Sequence, residues 1–483
     1  MIMFGKIRER TRFLIKPLLL SFLLYLLGAS AILRSGLSYM DDLQRAENGV
    51  PGFHYYSRYL SGLLARLLHT DSYLTDISPL PQLLALAILA LAGICLLLCV
   101  RDGRVLSPLA LFAVLPLGLN PYFLECISYK YDSPYMALSI LAMIAPLLLR
   151  RRHWGIYCAA VFAGTLVMCT TYQASSGILP MLTVLLVLLD WVRGERWREL
   201  WLFAGKSAGA YLAGLLFYHR FIMHYFFYYA STSTTPKDRL IPATIAHYRL
   251  FLRHILEEFR PLWLILIALL ALAFLAALLL GTKRNRLLTA LLALAALGVM
   301  LLLSFGVYPL LEAPLFDPRA MYGFGAFLAM VSAAVVTAER FPVGKLACVA
   351  LSWVFLVFAF TYGNALAAQE DYCELRTEAL VTDLSRLEAF QTEGEKVLAL
   401  RGSIGYAPIL RNMPQRYRML SRLVPVYLRE GSNWGSYRLL RYYGLGELRL
   451  AEEDFGGDEL PLLLDTAYHT IRGDGTHFLI SLK

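Results

Sequence analysis

Charged side chains are scarce in this sequence. Asp, Glu, Lys and Arg make up 17% of its 483 residues and hydrophobic residues 58%, and the mean hydropathy is +0.56. A soluble protein of this length could not hide so much apolar surface from water. The composition therefore excludes a soluble globular protein and makes the lipid bilayer the solvent for most of the chain.

Cysteine is scarce as well. The seven cysteines show no Cys-x-x-Cys or Cys/His spacing of the kind that binds zinc. Five of them lie in or beside apolar runs, where cysteine behaves as a small apolar residue. Cys126 and Cys373 lie in segments predicted to face outward, and a disulfide between them stays open because it depends on geometry. The chain also lacks internal repeats, low-complexity linkers and nucleic-acid-binding motifs.

The sequence instead contains many long apolar runs. A helix needs about 20 residues to cross a hydrocarbon core of about 30 Å. We predict eleven membrane spans, at residues 13–33, 80–100, 105–120, 134–149, 154–171, 177–192, 199–219, 261–280, 287–307, 320–338 and 345–363. The runs at 105–120 and 134–149 are short enough to be re-entrant or tilted segments instead.

Basic residues account for the net charge of +10 and predict the orientation. They occupy the N-terminal flank and every second connection, at Lys6–Arg12, Arg101/Arg104, Arg150–Arg152, Arg193–Arg198, Lys283–Arg286 and Arg340/Lys345. Short connections rich in Lys and Arg face the cytoplasm. We therefore expect a retained first span with a cytoplasmic N-terminus, and long loops and a C-terminal segment on the outer side.

The last 120 residues or so have a different pattern, because their apolar runs are too short to cross a membrane. Glu374–Phe390 predicts a helix, and Lys396–Arg401 and Thr476–Ser481 predict strands. We expect a transmembrane domain over residues 1–363 and a small extracytoplasmic α/β domain over residues 364–483. The second domain either shapes access to a site on the outer face or only stabilises the protein.

An adjacent pair of carboxylates, Asp41 and Asp42, directly follows the first predicted span. Carboxylates near lipid headgroups are costly and usually functional. A plainer alternative is an ordinary helical pair between Asp41 and Arg45, which stand four residues apart. Neighbouring residues point in different directions, so only one of the two carboxylates can face a given ligand.

Five outer loops are predicted, at residues 35–78, 120–133, 171–176, 218–260 and 308–321. The second and fifth of them carry further charged residues, namely Glu125, Lys130, Asp132, Asp317 and Arg319. A carboxylate with Lys or Arg from separate loops suits a reaction in which a hydroxyl loses a proton while a phosphate leaves. Plainer alternatives are a Lys130 that reaches the interface and an Asp317-Pro318 turn that caps a helix. Tyr225–Tyr229 predicts an interfacial aromatic belt, and His219, His224 and His247 are too irregularly spaced for a metal site.

The layout of these residues resembles the membrane-embedded GT-C glycosyltransferases, and more narrowly the Gtr type II glucosyltransferases of bacterial O-antigen and cell-envelope glucosylation. Four features carry the resemblance over roughly the first 360 residues: Tyr39-Met40-Asp41-Asp42-Leu43-Gln44-Arg45, Gly62-Leu63-Leu64, Tyr131-Asp132-Ser133 and Pro318-Arg319. The resemblance implies a GT-C-like fold in the bacterial cytoplasmic membrane.

The resemblance also implies an activity. Such an enzyme transfers a sugar, here glucose, from a polyprenyl-phosphate carrier to an envelope polysaccharide or glycolipid outside the cytoplasm, with inversion. Either Asp42 or Asp41 is then the general base, and Asp42 is preferred because Asp41 has an alternative partner in Arg45. The resemblance implies that Arg319, Arg45 and Lys130 bind the carrier phosphate. It implies that Asp132, Glu125 and Asp317 contact the sugar or the acceptor.

Neither a cofactor nor a divalent metal is expected, because Lys and Arg can neutralise the phosphate. The expected partners are the lipid-linked sugar, the glycan acceptor and the bilayer, without nucleic acid. Two rival functions are another GT-C transferase, for mannose or aminoarabinose, and a lipid-linked sugar flippase. A flippase would place ionisable or Gly/Pro-broken sites near the bilayer midplane, whereas these spans are nearly free of charge.

Overall fold

A computed structural model describes residues 2–101, 106–223, 233–338, 341–432, 435, 438–445, 448–451 and 457–483, with side chains from residue 14 onward except at 440 and 441. The described parts are mainly helical. Their α-helices are α1 Ile2–Ser35, α2 Asp42–Asn48, α3 Tyr59–His69, α4 Leu80–Arg101, α5 Pro108–Ala113, α6 Pro116–Leu119, α7 Pro121–Ser128, α8 Ser133–Ile144, α9 Trp154–Thr171, α10 Ile178–Arg193, α11 Trp197–Phe217, α12 Leu240–Glu258, α13 Pro261–Gly281, α14 Arg286–Leu303, α15 Pro318–Met321, α16 Gly323–Thr337, α17 Gly344–Arg386, α18 Met413–Arg416 and α19 Leu420–Leu423.

Nine helical segments of the described chain are long and apolar enough to cross a membrane. They are Leu14–Ser35, Leu80–Arg101, Trp154–Thr171, Gln173–Arg193, Trp197–Ile222, Pro261–Gly281, Arg286–Leu303, Pro318–Thr337 and Gly344–Arg386. Each coincides with one of the eleven predicted spans. The protein is therefore a polytopic α-helical membrane protein, as its composition indicates.

The two remaining predicted spans differ from straight crossings. Pro108–Leu119 and Pro121–Ser128 form a pair bent by 68°, which is either one broken span or a re-entrant loop. The bend lies at Asn120, which precedes Pro121 and is extended, as the residue before proline prefers. Its side chain accepts hydrogen bonds from the backbone N–H groups of Tyr122 and Phe123, and so begins the new helix.

Residues 134–149 also form a shorter element than a full span, since α8 ends at Ile144 and continues as the 3₁₀ helix Ala145–Leu149. The predicted loop at 218–260 contains the helix α12, whose aromatic side chains pack on Phe316. Tyr225–Tyr229 and His224 lie outside the described residues. All seven cysteines are free thiols in the structure, and six of them are buried.

The chain divides into two compact units. The first comprises Met1–Ser30, Pro51–Ser72 and Ile77–Thr361, and the second Ala31–Val50, Tyr73–Asp76 and Tyr362–Lys483. In the first unit α16 is buried almost throughout, and it packs against α4, α5, α6, α10 and α13. The apolar side chains around α16 form the core of the transmembrane helices.

The second unit contains a five-stranded sheet in the order β2-β1-β5-β4-β3. Its strands are β1 Lys396–Arg401, β2 Leu448–Leu450, β3 Leu462–Asp465, β4 His469–Gly473 and β5 His477–Leu482. β1 runs parallel to β2 and β5, and β4 runs antiparallel to β3 and β5. The predicted strands at 396–401 and 476–481 are thus confirmed as β1 and β5.

The predicted helix at 374–390 is not separate from the last span. It belongs to α17, which runs for 43 residues and ends at Arg386. Arg376 on this helix donates hydrogen bonds from Nη2 to the carbonyl oxygens of Tyr468 and Lys483. This side chain therefore fastens the end of the sheet to α17.

Helix packing in the first unit includes one very close backbone approach. A Cβ added to Gly177 would lie 1.8 Å from the carbonyl oxygen of Leu303, at the C-terminal end of α14. Such a contact forces backbone rather than side-chain movement. Only glycine lets α14 approach the 3₁₀ helix Gln173–Gly177 this closely.

We expect Gly177→Ala to destabilise the protein by about 1–3 kcal/mol, because the added methyl group overpacks this contact. Thermal unfolding of the purified protein in detergent measures the change. The matched control is Gly209→Ala on α11, where an added Cβ would meet nothing within 4 Å and alanine improves helix propensity. Equal melting temperatures for the two variants would contradict the packing argument.

Candidate functional site

A buried ion pair joins two of the predicted outer loops. Glu125 on α7 has a side chain that is only 2% exposed, and Arg319 on α15 lies against it. Arg319 donates from Nη1 to Glu125 Oε1 at 2.7 Å and from its backbone N–H to Glu125 Oε2 at 2.6 Å. Both carboxylate oxygens are therefore satisfied by one residue, as a buried charge requires.

The Arg319 guanidinium contacts two more side chains. Its Nη2 lies 2.8 Å from Asp317 Oδ2, and its Nη1 donates to the Tyr129 hydroxyl at 3.0 Å. Asp317 stands at the N-cap position of α15 but makes no capping hydrogen bond through its side chain. The predicted residues Glu125, Asp317 and Arg319 thus form one cluster, and the side chain of Asp317 binds arginine instead of capping.

An aromatic layer adjoins this cluster. The Tyr172 hydroxyl donates to the Arg319 carbonyl oxygen at 3.3 Å. The guanidinium carbon of Arg58 lies 4.5 Å from the centre of the Tyr172 ring and 5.0 Å from that of Tyr56. Arg58 also donates from Nε to Gln173 Oε1 at 3.2 Å. Residues from four separate segments of the first unit therefore meet here.

A second buried carboxylate, Glu258, contacts α7 one helical turn before Glu125. Tyr122 on α7 donates its hydroxyl hydrogen to Glu258 Oε2 at 3.0 Å, and His254 Nδ1 lies 3.1 Å from Glu258 Oε1. The Glu258 side chain is 6% exposed. This contact ties the C-terminal end of α12 to α7, so α12 is part of the packed structure rather than a free loop.

The two adjacent aspartates lie in the second unit and differ sharply in exposure. Asp42 is 0% exposed, and its Oδ2 accepts the backbone N–H of Tyr39 at 3.0 Å. The Asp41 side chain is 48% exposed and its Oδ2 lies 4.0 Å from Nη2 of Arg45. The alternative pairing of Asp41 with Arg45 is therefore present, and Asp41 is the carboxylate that solvent reaches.

Tyrosines hold the turn before this pair. Met40 has a left-handed backbone with φ of 48°, which is strained for a residue with a side chain. Its N–H donates to the Tyr427 hydroxyl at 3.0 Å, which itself donates to the Ser38 carbonyl oxygen at 2.8 Å. Burial raises the pKa of the Tyr427 phenol well above its ordinary value, so the hydroxyl keeps the proton that it donates.

The other residues named from the sequence are placed as follows. Arg45 is 8% exposed on α2, Lys130 is half-buried, and Asp132 is 5% exposed at the N-cap position of α8. Their roles stay predictions. Within the described residues, no three His, Cys, Asp or Glu side chains gather into a group that could hold a metal, and independence from metal also stays a prediction.

Comparison with known proteins identifies the family. The family model described as "Glucosyl transferase GtrII" matches residues 30–330, which is more than half of the chain. This protein belongs to the GtrII family. The matched region contains every site residue named from the sequence, and the GtrII resemblance of the sequence motifs is confirmed.

One relative of this GtrII protein is a 55.3 kDa protein from the gtrB 5′ region of Salmonella phage P22, itself described as uncharacterised. The two are 26% identical over 189 residues, which cover 38% of this chain and 38% of the relative. The match therefore spans well under half of the relative's length. No solved structure matches the chain.

Sequence reasoning missed two parts of this GtrII site. Arg58 and Glu258 were not singled out, although Arg58 lies in the aromatic segment Gly52–Tyr59. The pairing partners of a charged residue come from distant segments, so their spacing along the chain carries no signal. Tyr172 and Gln173 lie in an outer segment without charge, and only their contacts with Arg58 in the structure indicate a role for them.

A double-mutant cycle tests the buried pair of this GtrII protein. We expect Glu125→Gln to destabilise it by about 1–3 kcal/mol, because a charged hydrogen bond to Arg319 is lost. The double variant Glu125→Gln/Arg319→Gln should lose less than the sum of the single variants, by about 1 kcal/mol or more. The free energy of unfolding in detergent is measured for the wild type, Glu125→Gln, Arg319→Gln and the double variant.

The matched control is the exposed pair Arg253–Glu257 on α12, whose side chains are 71% and 46% exposed. Its two substitutions should be close to additive, because water and salt screen an exposed ion pair. Additive effects at Glu125 and Arg319 would show that the buried pair does not stabilise the fold.

Proposed function

We propose that this GtrII protein is a membrane glycosyltransferase that moves a sugar, here glucose, from a polyprenyl-phosphate carrier to a hydroxyl of an envelope polysaccharide or glycolipid. The transfer takes place outside the cytoplasm and inverts the anomeric centre. Family membership supports the transferase class. The feature that most supports a lipid-borne donor is an apolar cavity beside the charged cluster.

This cavity has a volume of about 410 Å³ and lies among α12, α13, α14 and α16 of the first unit. All of its lining residues are apolar. From α16 it is lined by Phe324, Phe327, Leu328 and Val331, which repeat at the helical spacing that puts them on one face. A hydrocarbon chain is the ligand that such a surface accepts from a bilayer.

The cavity begins close to the charged cluster. Arg319 and Phe324 both belong to the apolar helical segment Pro318–Thr337, and five residues of helix rise roughly 7 Å. A lipid whose phosphate lay near Arg319 could therefore extend its chain into the cavity. A soluble nucleotide sugar has no use for this surface, so the cavity favours a carrier of the polyprenyl-phosphate kind.

In the reaction, the acceptor hydroxyl gives its proton to an aspartate as its oxygen bonds to the anomeric carbon. The bond between that carbon and the phosphate oxygen breaks, and polyprenyl phosphate leaves with the electron pair. A general base must come within hydrogen-bond reach of the hydroxyl. The exposures of the two side chains favour Asp41 as this base, with Asp42 holding the turn, and so reverse the preference drawn from the sequence.

The other assignments follow from the contacts. Arg319, Arg45 and Lys130 remain the cations proposed for the carrier phosphate, and Asp132, Glu125 and Asp317 the residues proposed near the sugar or acceptor. Because Glu125 binds the backbone and guanidinium of Arg319, its first effect is to position that arginine. No metal takes part in this proposal, since the cations supply the positive charge.

We expect Asp41→Asn to lower transfer about 10²–10⁴-fold, because an amide cannot accept the proton. Asp42→Asn, which keeps an oxygen for the Tyr39 N–H, should lower it less. Purified protein with a polyprenyl-phosphate sugar and an envelope acceptor, followed by mass spectrometry, measures transfer. Near wild-type transfer by both variants would overturn the assignment of the base, and flipping of the donor without transfer by the wild type would overturn the transferase.

The cavity is tested by filling it. Gly298 lines the cavity, and a Cβ there would meet nothing within 4 Å, so the side chain of Gly298→Leu can begin at the cavity wall without displacing the backbone. We expect transfer from a long-chain donor to fall roughly 10-fold, because the lipid chain would then be overpacked. Gly209→Leu, on an exposed face of α11, is the matched control. Equal transfer by the two variants would exclude the cavity as the chain site.

A further inference from the structure

Arg58 is held in an unusual way. Its guanidinium lies on the rings of Tyr56 and Tyr172, at 5.0 and 4.5 Å, and its Nε donates to the side chain of Gln173. All three partners are uncharged. Among the residues that the structure describes, no carboxylate lies within ion-pair distance of this half-buried side chain.

Three other arginines of the same unit differ in this respect. Arg319 contacts both Glu125 and Asp317, Arg150 pairs with Asp190, and Arg253 pairs with Glu257. A cation removed in part from water loses hydration, and at Arg58 only two tyrosine rings and the Gln173 side chain replace it. The positive charge of Arg58 is therefore not compensated by a carboxylate of the described residues, whereas Arg319 close by is compensated by two.

The free edge of Arg58 has the shape of a phosphate site. A guanidinium has five N–H donors, of which the Nε–H is the one that Gln173 takes. The four Nη hydrogens have no acceptor within the described part of the protein. The two rings and Gln173 hold the plane of the group, so these hydrogens form a preorganised fork that matches two oxygens of one phosphate.

Resting on the proposed function, we propose that Arg58 binds the phosphate of the lipid-linked donor through its Nη atoms, with Tyr56, Tyr172 and Gln173 holding the guanidinium in place. Tyr172 links this position to the cluster, because its hydroxyl donates to the carbonyl oxygen of Arg319. Arg319 is bound by two carboxylates and so contributes less to phosphate affinity than Arg58. The ligand chemistry is a phosphate ester, whether carried by a lipid or free.

The test measures binding of farnesyl phosphate, farnesol and inorganic phosphate to the full chain in detergent micelles. We expect Arg58→Gln to weaken farnesyl phosphate binding about 10- to 100-fold, the usual size of a lost charged hydrogen-bond pair. Farnesol binding should not change, because farnesol has the same chain without the phosphate. Arg58→Lys should bind farnesyl phosphate less tightly than the wild type and more tightly than Arg58→Gln, since lysine keeps the positive charge but lacks the planar fork of N–H donors.

Arg66→Gln is the matched control. Arg66 is exposed on the neighbouring helix α3, and its substitution removes the same charge as Arg58→Gln. Arg66→Gln should bind farnesyl phosphate as the wild type does. Equal weakening by Arg66→Gln and Arg58→Gln would reduce the effect to net charge and overturn the inference, as would unchanged farnesyl phosphate binding by Arg58→Gln. Loss of both farnesyl phosphate and farnesol binding would show a merely structural role for Arg58 and would also overturn it.

Inorganic phosphate separates the two sources of the ligand. Competition by millimolar phosphate against farnesyl phosphate, lost in Arg58→Gln, supports a phosphate site at Arg58 that free phosphate also enters. Binding of farnesyl phosphate without such competition, still weakened by Arg58→Gln, supports a site for lipid phosphate alone. Failure of the proposed function is a different result, in which the wild type binds farnesyl phosphate through Arg58 and transfers no sugar.

Discussion

The contact between Glu125 and Arg319 organises the polar end of the transmembrane unit. A carboxylate that is 2% exposed is stable only where its lost hydration is replaced by hydrogen bonds and an opposite charge. Arg319 supplies both, through its backbone N–H and its guanidinium. The pair therefore determines how α7 and α15 approach each other, and Asp317, Tyr129 and Tyr172 are arranged around the same arginine.

The aspartate pair depends on a different set of contacts, all within the second unit. The strained turn at Met40 is held by Tyr427, and the Tyr39 hydroxyl donates to the Leu423 carbonyl oxygen at 2.9 Å. Residues close to 425 therefore brace a loop that follows the first membrane helix. This gives the C-terminal segment a physical role in holding the proposed base, since the left-handed backbone would relax without these hydrogen bonds.

Hydropathy predicted the membrane helices well because lipid imposes one simple requirement, a continuous apolar run in which every backbone group is bonded within the helix. It was less informative for 105–120 and 134–149, where prolines interrupt apolar runs and the chain bends or tightens. The predicted outer loops at 120–133 and 218–260 contain α7 and α12, because burial against neighbouring helices stabilises segments whose own hydropathy indicates no span. The grouping of Glu125, Asp317 and Arg319 was expected only as charges in separate loops.

The amino-acid sequence by itself determined that the protein lies in a membrane, which segments cross it, that strands end the chain, and which family motif contains Asp41 and Asp42. These properties depend on local composition and short spacing, which a linear sequence records. Only the tertiary structure decided that Asp42 is buried and Asp41 exposed, and that Arg319 is neutralised. It also decided that Arg58 lies on two tyrosines, with no carboxylate beside it among the described residues. Burial and charge pairing arise between residues far apart in the chain, and no local pattern encodes them.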